Sequence, residues 1–182
     1  MKKFAIIALA LLLIGCSFFQ SNSPKEAAIT LMDSLSNMDF EKAKTAADNA
    51  LQEKISDLQQ LAGRDPVSET SVKSILDFMD YEVLSEKIDG DTASLRLKIS
   101  AFSEETVEAI KLKMALAGIS VSDDSDPHSI SEVLVEALEE LDLDSLEKVS
   151  REVELKLKKI EGEWRFTEDT LTRITEALFP QE

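Results

Sequence analysis

Two alternating segments on either side of Asp89-Gly90 constrain the fold more than any other part of the sequence. Within residues 92–102 every second side chain is apolar: Leu95, Leu97, Ile99 and Ala101. Alternation places apolar and polar side chains on opposite sides of a strand, and Asp-Gly between two such runs is a strong hairpin signal. Residues 81–102 therefore predict an antiparallel hairpin with one covered and one solvated face.

A second hairpin is predicted near the C-terminus. Residues 149–158 alternate again, Glu161-Gly162 supplies a turn, and Trp164 and Phe166 then alternate with charged residues. The polar sides of both hairpins carry a basic stripe, which consists of Arg96, Lys98, Lys156, Lys158 and Arg165. Glutamates at neighbouring strand positions are expected to pair with these cations.

Helical signals precede the first hairpin. Ser23-Pro24-Lys25-Glu26 combines an N-cap serine, a proline at the first helical position and a glutamate at the third. Asp39 and Asp65 are the expected N-caps of two further helices. The apolar spacing predicts that the helix after Asp39 runs without a break through residues 40–61 and stops at Gly63.

The segment between the two hairpins, residues 104–148, is interpreted as a helical insertion. Its first part, residues 104–117, fits helical spacing, although alternating apolar residues from Ile110 to Leu116 leave a strand open. The Glu, Lys, Ala, Met and Leu content favours a helix. Residues 129–141 begin with a capping box and predict an amphipathic helix. A last helix is expected after Asp169 or Thr170.

The predicted fold class is α+β: N-terminal helices pack on one face of a curved four-stranded antiparallel sheet, with a helical insertion between the two hairpins. Residues 23–28, 37–43 and 160–166 (SPKEAA, NMDFEKA and IEGEWRF) carry a resemblance to the cystatin-like cone of the nuclear-transport-factor-2-like superfamily, in the form found in small bacterial lipoproteins. Long helices at 104–148 depart from that pattern. The superfamily includes enzymes and ligand binders, so the fold alone does not give a function.

The N-terminus reads as a targeting segment. Lys2 and Lys3 precede an apolar run over residues 4–14, which is too short to span a membrane because spanning takes about 20 residues. Leu13-Ile14-Gly15-Cys16 resembles the lipobox of bacterial lipoproteins. This resemblance implies cleavage before Cys16, a diacylglycerol on its thiol and a further acyl chain such as palmitate on its amine.

These signals divide the chain into a signal peptide (1–15), an acylated cysteine with its tether (16–22) and a single domain (23–182). The expected location is the bacterial cell envelope. Ser17 resembles the family's outer-membrane sorting residue, which would place the protein on the outer membrane, facing the periplasm, in a host with two membranes. Losing Lys2 and Lys3 takes the net charge from −16 to −18, which argues against nucleic acid as a partner. Cys16 is the only cysteine, so no intramolecular disulfide is expected.

Nothing in the sequence predicts an enzyme or a cofactor. The chain has one histidine and one tyrosine, and no nucleophile–base pair or phosphate-binding loop is recognisable. His128 falls in a polar loop. Asp123-Asp124-Ser125-Asp126 lacks the mid-loop glycine and distal glutamate of an EF-hand, so no metal site is predicted. The carboxylates of residues 119–147 are interpreted chiefly as a solvated helix face.

Two functions stay open at this level. The first is a non-enzymatic, lipid-anchored envelope protein that binds another envelope component through residues 104–148. The alternative is a lipoprotein that binds a small apolar ligand in a pocket between sheet and helices, lined by Tyr81, Trp164 and Phe166. Aromatic residues at strand spacing are also ordinary core residues. The oligomeric state is not predicted.

Overall fold

The computed structural model describes residues 23–116 and 148–179, and within them the predicted α+β fold is confirmed. The described residues form a four-stranded antiparallel sheet in which neighbouring strands are also consecutive in sequence. The strands are β1 (Tyr81–Asp89), β2 (Thr92–Phe102), β3 (Lys148–Ile160) and β4 (Glu163–Phe166). Both predicted hairpins are therefore present, with β1 and β4 at the two edges.

The strand register separates an apolar from a charged face. Leu95 lies opposite Leu155, and both side chains are completely buried. One position further along, Arg96 lies opposite Glu154, and both are exposed. An irregularity between Val83 and Ser85 shifts the register of β1 by one residue. Such a bulge re-aims the rest of an edge strand.

Helices before and after the sheet cover its apolar face. The helices before the sheet are α1 (Pro24–Ser36), α2 (Phe40–Thr45), α3 (Asn49–Ala62) and α4 (Pro66–Phe78). The helix between the hairpins is α5 (Glu104–Leu116), and α6 (Thr170–Leu178) follows the sheet. The predicted capping box at Ser23 and Glu26 is present at the start of α1. Helix α1 contacts β1, β2 and β4, and α6 contacts β2 and β3.

The prediction of one unbroken helix over residues 40–61 is wrong, since α2 and α3 are separate. The backbone N–H of Phe166 donates to the carbonyl of Ala46 (2.8 Å), and the N–H of Asp48 donates to the carbonyl of Phe166 (2.9 Å). This pairing with strand β4 takes backbone groups that a continuous helix would use itself. Asp48 then restarts the helix, because its carboxylate accepts from the N–H of Leu51.

The structure also decides between the two interpretations of residues 104–117, because α5 is helical through Leu116. The predicted helix over residues 129–141 and the acidic residues of 119–147 lie outside the described residues, as does His128. So do Cys16, the rest of the leader and the tether. In the parts of the chain that the structure describes, no helix has the length and apolar content needed to cross a bilayer.

Candidate functional site

Trp164 and Phe166, two of the three residues predicted to line a pocket, lie in the hydrophobic core. Trp164 is 4% exposed and Phe166 is fully buried. Phe166 pairs with Leu157, which is itself buried in the same cluster. The ammonium group of Lys159 lies over the Trp164 ring, 5.6 Å from its centre. At these positions the aromatic side chains pack the space between sheet and helices.

Tyr81, the third predicted pocket residue, lies at the opposite edge of the sheet. It starts β1, whereas Trp164 and Phe166 belong to β4, so two strands separate them. From the register, Tyr81 and Phe166 are roughly 24 Å apart along the sheet. The structure thus brings Trp164 and Phe166 together in the core and places Tyr81 at the border of that same core, at the far edge of the sheet.

Tyr81 connects β1 to α1. Its side chain is half-buried, and its hydroxyl donates a hydrogen bond of 2.7 Å to the carboxylate of Asp33. Burial, and then the hydrogen bond and charge of Asp33, raise the pKa of Tyr81 well above its ordinary value near 10. Sequence reasoning did not find Asp33, because the pairing depends on how α1 crosses the sheet.

Replacing Tyr81 with phenylalanine tests this connection. We expect the free energy of unfolding to fall by about 1.5 kcal/mol at neutral pH, since one hydrogen bond to a carboxylate is lost. Because the pKa of Tyr81 is raised, its hydrogen bond to Asp33 contributes fully to the free energy of unfolding of the wild type below about pH 10. That contribution is lost as pH rises from there through the folded-state pKa, because only the unfolded chain then releases the proton. Urea denaturation at neutral and alkaline pH would measure both effects.

A matched control comes from the composition, because Tyr81 is the only tyrosine. The absorbance of tyrosinate therefore reports this residue alone. An apparent pKa near 10 in the folded protein, or equal alkaline losses of stability in wild type and Tyr81→Phe, would contradict the assignment.

A shallow groove of about 210 Å³ lies beside Tyr81 on the sheet. Its lining residues are Asp80, Tyr81, Glu82, Lys98, Ser100 and Ser150. Most of them are polar, so the groove does not have the apolar lining typical of a pocket for an apolar ligand. Of the predicted ligand-binding residues, Tyr81 is the one that borders this groove.

The predicted basic stripe is partly neutralised by glutamates on the sheet. Arg165 donates to Glu163 over 2.7 Å, and a nitrogen of Arg96 lies 3.7 Å from an oxygen of Glu152. The Arg96–Glu152 pair is exposed, and exposed pairs contribute little to stability. Among the residues that the structure describes, no three His, Cys, Asp or Glu side chains converge as a metal site would require.

Helix α5 presents apolar side chains on two opposite sides. Val107 and Ile110 are buried, whereas Leu112 is 61% exposed and Leu116 is 79% exposed. At about 100° per residue, the two leucines lie together on the side opposite the two buried residues. The same leucines produced the alternation that left a strand open for this segment. In a helical segment, this extra alternation in the sequence indicates that the helix has a second apolar side.

The fold and these surfaces define an α+β domain whose helices cover one face of an open antiparallel sheet. The chain matches no family model, and no curated protein matches it. Among solved structures, it is similar to ycdA of Bacillus subtilis subsp. subtilis strain 168, a protein provisionally classed as a lipoprotein. The identity is 14% and the TM-score is 0.42. The match covers 85% of this chain, which spans 58% of the length of that protein.

Proposed function

We propose that this chain is a non-enzymatic, lipid-anchored protein of the bacterial cell envelope whose α+β domain binds another envelope component. The anchoring part rests on the leader, where Lys2 and Lys3, a short apolar run and Leu13-Ile14-Gly15-Cys16 follow the order of a lipoprotein signal. The lipid holds the domain at the membrane, so the domain can contact only partners that lie within the envelope.

The observation that carries the binding part is the exposed pair of leucines on α5. An amphipathic surface helix normally has a single apolar stripe facing the core. Helix α5 buries Val107 and Ile110 and still exposes Leu112 and Leu116 on its other side. Exposed apolar side chains grouped on one surface are typical of a protein interaction site. Helix α5 also begins the 104–148 segment predicted to contact a partner.

The polar surroundings of these leucines favour a reversible contact with a protein. Lys111 forms an ion pair with Glu108 at 2.9 Å, one turn before Leu112. An apolar centre with a charged rim is the usual arrangement of a protein–protein interface. A partner with an apolar patch and a polar border would therefore fit this side of α5.

The experiment compares two surface variants of the full-length protein. After cross-linking in cells and extraction with detergent, we expect the double variant Leu112→Glu and Leu116→Glu to recover about tenfold less partner than the wild type. The matched control is Leu84→Glu, because Leu84 is also an exposed apolar residue (40%) but lies on β1. Gel filtration of the extracts would show the same difference as a loss of the larger species.

Two outcomes would contradict the binding proposal. In the first, both variants recover the partner as well as the wild type does. In the second, the wild-type domain always migrates alone while apolar small molecules co-purify with it, which would favour the ligand-binding alternative. Extraction of the purified protein with organic solvent, followed by mass spectrometry, would detect such molecules.

A further inference from the structure

Both hairpin turns lie at the same end of the sheet. The turn at Gly90 joins β1 to β2, and the turn at Gly162 joins β3 to β4. Because the register aligns Asp91 with Lys159, the two turns stand side by side. Each turn has an exposed isoleucine beside it: Ile88 is 52% exposed and Ile160 is 38% exposed. We call this end of the sheet, residues 87–91 and 158–162, the hairpin tips.

Helix α1 begins in the half of the sheet that contains the hairpin tips. Near its C-terminal end, Asp33 bonds to Tyr81, which lies at the other end of the sheet. The same helix contacts β4, whose residues lie at the tip end and roughly 24 Å from Tyr81. A helix of 13 residues is about 20 Å long. Its first turns must therefore make the contact with β4, so Ser23 and Pro24 lie towards the hairpin tips.

This geometry decides which end of the domain faces the anchor. Residues 17–22 separate Cys16 from Ser23 and reach at most about 20 Å. The sheet is about 35 Å long, the length of the 11-residue strand β2, and its far end lies further from Ser23 than the hairpin tips do. With Cys16 acylated as proposed above, the tether therefore holds the tip end of the sheet towards the lipid.

The side chains of the hairpin tips suit a bilayer surface. Lys87, Lys158 and Lys159 are exposed next to the two isoleucines. Lysine can lay its aliphatic stem along an apolar surface while its ammonium group reaches lipid phosphates. Asp89, Asp91 and Glu161 in the turns balance these three charges. The tips would thus bind lipid weakly on their own, and the N-terminal acyl chains supply the affinity.

We propose that the hairpin tips, with Ile88 and Ile160, form the face that this domain rests on the phospholipid bilayer holding its N-terminal lipid. This inference depends on the proposed lipid anchor. It gives the anchored domain a fixed orientation, with α1 leaving the bilayer and the Tyr81 end of the sheet directed away from it. The tips are then unavailable to a protein partner.

The test uses the lipidated full-length protein in vesicles of phosphatidylcholine and phosphatidylglycerol. A polarity-sensitive fluorophore is attached to single cysteines introduced as Ile88→Cys, Ile160→Cys or Leu84→Cys. Leu84 is the control because it is similarly exposed and lies on the same strand as Ile88, further from the turn. We expect a blue shift and quenching by spin-labelled acyl chains at positions 88 and 160, with neither effect at position 84.

Three results would overturn the inference, and they can be told apart. If the protein floats with the vesicles but the probes at 88 and 160 are quenched only by aqueous iodide, the orientation is wrong and the anchor stands. If those probes are protected in native membranes but not in pure lipid vesicles, a protein covers the tips. If the protein does not float with vesicles at all, the proposed anchor fails and the orientation fails with it.

Discussion

Replacing Phe166 with alanine is expected to lower the free energy of unfolding by about 3–5 kcal/mol. The ring is completely buried among the core residues of the sheet and helices. The backbone of Phe166 also bonds to Ala46 and Asp48, so the cavity would form where the sheet meets the junction of α2 and α3. Urea denaturation followed by circular dichroism, on the chain without its leader, would measure the loss.

The matched control for this substitution is Leu84→Ala, which removes an exposed apolar side chain from the same sheet. It is expected to change stability by about 0.5 kcal/mol or less. If Phe166→Ala kept wild-type stability and instead lost a bound apolar molecule, Phe166 would line a pocket. The packing role that the structure supports would then be wrong.

Replacing Cys16 with serine is expected to release the protein from the membrane almost completely. A hydroxyl is a far poorer nucleophile than a thiol, so no lipid is added at position 16. Stable attachment to a bilayer takes two hydrophobic anchors, each contributing about 0.8 kcal/mol per buried CH₂, and the variant would have none of the acyl chains expected at Cys16. Fractionation of cells into membrane and soluble extracts, with radiolabelled palmitate incorporation, would measure both consequences.

The control for this experiment is Ser17→Ala, which leaves the thiol and Gly15 in place and should stay attached to the membrane. A Cys16→Ser protein that still sediments with membranes through high-salt and carbonate washes would contradict the proposed anchor. A released variant whose partner is still recovered through Leu112 and Leu116 would separate anchoring from binding.

The elements that the sequence predicted well depend on neighbours along the chain. Alternation over 92–102 and the Asp89-Gly90 turn specify a hairpin locally, because side-chain period and turn chemistry involve only a few consecutive residues. The capping box at Ser23 and Glu26 is likewise a contact between residues three apart. For such features the unfolded chain already contains the interacting groups in the right order.

The candidate site was harder to predict because it depends on distant contacts. Aromatic side chains such as Trp164 and Phe166 occur both in pocket walls and in hydrophobic cores. Only the packing around them shows which of the two they form. The apolar alternation in the sequence of α5 fitted both a strand and a helix. Because the segment is a helix, Leu112 and Leu116 lie on its exposed side. Tyr81 gained its partner Asp33 through the position of α1.

The sequence by itself determined the strands, their turns, the starts of α1, α2 and α4 and the predicted lipid signal at Cys16, since each depends on short-range periodicity or on a contiguous motif. The tertiary structure alone decided where residues 40–61 break, because the interruption at Ala46 and Asp48 exists only when Phe166 pairs with them. In the orientation proposed above, the end of the sheet towards the tether also depends on the path of α1, because α1 buries its apolar side across strands that come much later in the chain.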